Sequence, residues 1–165
     1  MSVADESWEK RSAQLWNAID AYEAEEFVVR VEALAAELAP GSAIGLFERG
    51  CAQDSAGHPD LAVPLYRSAI DAGLDGIRRR RATIQMASSL RSLGHPSDAV
   101  RLLTDELARP SDELDGAVRA FLALALLDVG REREAVAESL TALSHYLPRY
   151  NRSLARYAKA LSEPK

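Results

Sequence analysis

Apolar residues recur at helical spacing along nearly the whole chain, and no alternating, strand-like pattern persists. Trp8, Leu15, Trp16, Ile19 and Tyr22 place a first helix over about 5–22, and Phe27, Val31, Leu34 and Leu38 a second over about 24–38. The run Ala39-Pro40-Gly41-Ser42 ends that stripe, because Pro and Gly continue a helix only at a cost. Further helices are expected over about 43–56, 60–72, 77–93, 97–108, 113–129, 131–146 and 150–162. Pro64 is placed in the first turn of the fourth, where a missing N–H costs least, and Ser97 is placed as the N-cap of the sixth. The last helix reads as an end cap, with Tyr150, Leu154, Tyr157 and Leu161 on one face and Arg149, Arg152, Arg156 and Lys159 elsewhere.

Three of the helix ends repeat. Gly57, Gly94 and Gly130 each precede a restart with Ala five residues later, at Ala62, Ala99 and Ala135. The Gly-to-Gly spacings of 37 and 36 residues mark a stack of helical hairpins.

In register, the hairpins resemble the tetratricopeptide repeat. That repeat carries a small residue midway through its first helix, Gly at the turn and Ala early in its second helix. Aromatic and Ala positions follow one and two turns on. The first clear unit supplies Gly50, Gly57, Ala62, Tyr66 and Ala69. The second supplies Ala87, Gly94, Ala99 and Leu103, with Glu106 in place of the last Ala. The third supplies Ala123, Gly130, Ala135 and Ala142, with Ser139 at the aromatic position. The segments 47–50, 78–85 and 147–154 are similar to a short, largely actinobacterial family of such repeats, which implies a fold and no mechanism. The resemblance implies an all-α, right-handed α–α superhelix, a solenoid of four hairpins and a C-terminal capping helix. The whole of 1–165 is read as a single domain: a degenerate hairpin at 5–40, three clear hairpins at 43–147 and the cap at 149–162.

In this family the first helix of each hairpin lines a concave groove. That places Ile44, Phe47, Glu48, Cys51, Asp54 and Ser55 on the third helix, Arg81, Ile84, Gln85, Ser88, Arg91 and Ser92 on the fifth, and Ala117, Ala120, Phe121, Leu124, Leu127 and Asp128 on the seventh. Arg81, Gln85, Ser88 and Arg91 are expected to fix an acidic or carboxylate group of a partner; Phe47, Ile84, Phe121 and Leu124 are expected to bury its apolar side chains. The Lys–Asn pair of the chaperone-tail clamp known in the family would fall at Phe47 and Cys51, so that clamp is absent from this groove.

Composition narrows the picture. Hydrophobic residues at 47% supply a core, and no apolar run reaches the ~20 residues of a membrane span. Cys51 has no internal disulfide partner, and the acidic N-terminus lacks signal-peptide character, so a reducing cytoplasm is expected. The net charge of −5 is uneven: residues 1–40 hold nine acids against three bases, and residues 149–165 five bases against one acid. The run Arg78–Arg81 opposes the dipole at a helix N-terminus and needs negative charge, either from Asp71, Asp75, Asp54 or acids of the first hairpin, or from a bound anion. Four arginines without an aromatic platform in an acidic chain argue against nucleic acid. His58 and His95 fall at turns, and no ligand spacing for a metal, nucleophile elbow, phosphate loop or carboxylate pair is present. The expected function is therefore a non-enzymatic module without cofactor or metal, binding a protein or peptide that carries an acidic group. Self-association into a homodimer or scaffold, and sensing of a small anion, are the alternatives.

Overall fold

The computed structural model describes residues 4–162 and contains only helices among them. In chain order these are α1 (Glu6–Asn17), a 3-10 turn (Ile19–Ala21), α2 (Ala24–Ala35), α3 (Ala43–Ser55), α4 (Pro59–Asp71), α5 (Gly76–Ser92), α6 (Pro96–Leu107), α7 (Asp115–Asp128), α8 (Glu132–Ser144) and α9 (Asn151–Ser162). The chain divides into two compact units, Met1–Gln85 and Met86–Lys165, with the boundary inside α5.

Helix ends follow one local device. The backbone N–H groups of His58, Leu74, His95 and Arg131 reach back to the carbonyls of Gln53, Ala69, Leu90 and Leu126, closing Schellman turns. The residue before each is Gly57, Gly73, Gly94 or Gly130, with φ between +73° and +89°, a conformation that a Cβ would strain. The repeat spacing read from the sequence is thus a spacing of backbone turns.

In the first unit, α1 starts on the Asp5 carboxylate, which accepts the Trp8 N–H at 2.8 Å. The buried Trp8 indole donates to the Leu34 carbonyl at 2.9 Å, tying α1 to α2. Phe27, Val28 and Val31 of α2 pack on Ala52 of α3, with Leu15, Trp16, Ile19 and Tyr22 around them. Trp16 meets Phe27 edge to face, ring centroids 4.9 Å apart. In the second unit α6, α7, α8 and α9 pack in sequence. Leu103, Val118, Leu122, Ala125, Leu126 and Ala137 form its interior.

Four expectations are corrected. The first helix stops at Asn17 and the 3-10 turn carries the chain on. Because α4 begins at Pro59, Pro64 lies beyond its first turn; the buried Ala62, Val63, Tyr66 and Ala69 hold the helix across the lost donor. Pro96 opens α6 with His95 at the capping position, leaving Ser97 inside the helix. On α9 the packing residue is Ala158 with Leu154 and Leu161 partly covered, whereas Tyr150 and Tyr157 are exposed.

Candidate interaction surfaces

The Arg run of α5 is largely occupied. Arg78 reaches the Glu9 carboxylate of α1 and stands 3.9 Å from Glu48 of α3, so these two helices supply the negative charge that this helix start needs. Arg80 is buried. Arg81 is exposed and lies over the Phe47 ring, 5.2 Å from its centroid. Phe47 and Ile84 are both buried, so neither offers apolar surface of the kind expected from their helical face. Gln85 is half-buried and accepts from the Cys51 thiol at 3.4 Å. Burial pushes that thiol up to about 12, which removes it as a nucleophile near neutral pH.

Glu48, placed by the repeat register on the groove face of the third helix, is instead enclosed by its neighbours. It is buried on α3 and accepts the Trp16 indole N–H. Burial pushes its carboxyl above the usual range, while the Trp16 hydrogen bond and the Arg78 charge pull it back. The folded chain therefore takes up a proton here before the unfolded chain does. The resulting stability is present at low pH and lost as pH rises through the raised value. Glu48→Gln should cancel this dependence. In urea titrations the difference between native chain and variant should move in favour of the native chain from neutral pH to about pH 5. A difference independent of pH would refute the assignment.

In the second unit Ser88 is half-buried, and the Arg91 guanidinium is paired with Asp128 at 2.6 Å. Phe121 is partly covered, whereas Leu124 and Leu127 are 44% and 55% exposed. On α8, Val136 is 48% exposed. Leu124, Leu127 and Val136, but not Phe121, border a cleft of about 490 Å³ between α7 and α8, with Ala120, Ala123, Ala135, Ser139 and Leu140 in its walls and Glu132 at its rim. No three His, Cys, Asp or Glu side chains among the described residues are placed to hold a metal ion. No described helix is long and apolar enough to cross a membrane.

The repeat register explains the cleft. In the first clear hairpin a Cβ on Gly50 would fall 2.8 Å from the Tyr66 ring, so Gly and Tyr fit each other, and Ala62, Tyr66 and Ala69 are fully buried. In the second, Ala87, Ala99 and Leu103 are fully buried. In the third, Ala123 stands at the Gly50 position, but Ser139 stands where Tyr66 and Leu103 stand. It is exposed, its hydroxyl donating back to the Ala135 carbonyl at 2.9 Å. A family model described as tetratrico peptide repeat matches residues 43–161. The chain is a tetratricopeptide repeat protein. No curated protein and no solved structure matches it. The match covers all three hairpins set in register above, together with most of α9. Repeats of this family are non-enzymatic and mediate protein–protein interactions. Within this repeat protein the cleft of the third hairpin exposes the large apolar side chains of Leu124, Leu127 and Val136, whereas those of the Arg run are mostly engaged.

Proposed function

We propose that this repeat protein is a non-enzymatic interaction module that receives an apolar, helical segment of a partner protein in the α7–α8 cleft. The observation that carries the reading is the cleft itself, with Leu124 and Leu127 on one wall and Val136 on the other, all substantially exposed. Such a patch is costly to leave in water and has the size of a recognition pocket. Two helices side by side present a groove that a third helix fills by ridge-into-groove packing. The expected basic centre has less support, since Arg78 and Arg91 already hold carboxylates; Arg81 remains as an exposed cation for an acidic group of the partner.

Recovery of partners from native lysate on the immobilised chain tests this comparatively. Leu124→Asp should remove the protein recovered by the native sequence, with little change in melting temperature because the side chain is half exposed. Arg81→Glu should weaken recovery less. Equal recovery by the native chain and Leu124→Asp would sink the cleft as the binding site.

Self-association is a second reading. Arg149, Arg152, Arg156 and Lys159 form no ion pair with a described residue, and Tyr150 and Tyr157 are exposed among them. That face complements the acidic residues 1–40 of another copy. Sedimentation at low and high salt should then show association that salt dissolves. A monomer under both conditions removes the reading.

A further inference from the structure

The third hairpin is missing one side chain that its siblings have. Tyr66 and Leu103 occupy one repeat position and are each 0% exposed, and the Tyr66 ring lies directly on Gly50. Ser139 holds the same position, with Ala123, Ala135 and Ala142 beside it in the cleft walls. The small residues that normally receive a large neighbour are present; the large neighbour is not. Glu132 lies at the rim on the same helix, exposed and without an ion pair among the described residues. Glu132 and Ser139 are separated by seven residues of α8, about 10 Å along its axis.

Resting on the cleft reading above, we infer that the partner restores the missing side chain. Its helix seats one bulky apolar residue, aromatic or Leu, in the space that Ser139 leaves. It carries a Lys or Arg about seven residues away that meets Glu132. The chemistry of the occupant follows from what fills the same place in the other two hairpins, and its charge follows from the unpaired acid at the rim. The apolar side chain supplies the anchor of the interface, and the cation sets the direction in which the helix lies.

A display library of random 16-residue helical peptides, selected on the full chain, tests this. Recovered peptides should share a Phe, Tyr, Trp or Leu anchor and a basic residue about seven positions from it. Ser139→Leu fills the space from within and should weaken them at least about tenfold without lowering the melting temperature. Leu124→Ser provides a second disruption of the cleft wall that leaves position 139 intact. Glu132→Gln should weaken them about threefold, an effect that salt should abolish. Peptides that need the cleft but share no bulky anchor, or ignore Glu132, would overturn this inference and leave the cleft reading standing. Peptides indifferent to both Ser139→Leu and Leu124→Ser, or a selection that recovers none, would overturn both.

Discussion

Tyr66→Ala is expected to lower the free energy of unfolding by about 3–5 kcal/mol. The ring is fully buried, rests on Gly50, stands 6.4 Å from the Phe47 ring and holds its hydroxyl 3.4 Å from the Asp54 carboxylate. Truncation removes apolar contact on every side and leaves a cavity that two helices must close over. Ser139→Ala, at the equivalent position of the third hairpin, should change stability by less than about 0.5 kcal/mol, because the side chain is exposed. The comparison is accessible in urea titrations. Both tryptophans, Trp8 and Trp16, lie in the first unit, so their emission reports on the hairpins beside Tyr66. Helical circular dichroism follows the second unit as well. Comparable losses at the two positions would contradict the asymmetry between the hairpins.

Gly50→Ala should destabilise by about 1–3 kcal/mol, against the ordinary preference of helices for Ala over Gly. An added Cβ would stand 2.8 Å and 2.9 Å from two carbons of the Tyr66 ring. The ring has no room to retreat, since Phe47 and the Asp54 carboxylate fix its other side. The sign separates two accounts. If Gly50 served only to permit a helix bend, Ala would be neutral or stabilising. If it makes room for the ring, Ala is destabilising, and the penalty shrinks when Tyr66 is also replaced by Leu. Denaturant titration of the two single variants and the double variant measures that coupling.

What the sequence made legible is the part governed by local backbone requirements. Gly57, Gly94 and Gly130 have positive φ and end their helices by one hydrogen-bonding pattern, so spacing alone located the hairpins. The small and aromatic positions of the first clear hairpin followed from the same register, because close helix crossing permits few residue types there. Legibility failed where the environment is set by other helices. The resemblance to the repeat family implies that Phe47 and Ile84 line a groove, yet both are buried, with Arg81 over the Phe47 ring. The cap face chosen for α9 from Tyr150 and Tyr157 failed in the same way, since the small Ala158 makes the close contact. The Glu48 site draws Trp16 and Glu9 from α1 and Arg78 from α5, a conjunction of distant segments without any local signature. The cleft had a signal in plain view: Ser139 at a position where its siblings carry Tyr66 and Leu103. Only the exposure of Leu124, Leu127 and Val136 gives that departure a consequence.

The account turns on whether a partner occupies the α7–α8 cleft in the cell. The direct measurement is photocrosslinking with a benzophenone amino acid at position 124, in the native chain and in the Ser139→Leu background, with exposed Val29 of the first unit as the control position. The account predicts a discrete protein adduct from position 124, none from position 29, and loss of the adduct when Leu fills position 139. No adduct from position 124, or one that persists unchanged with Ser139→Leu, would contradict it.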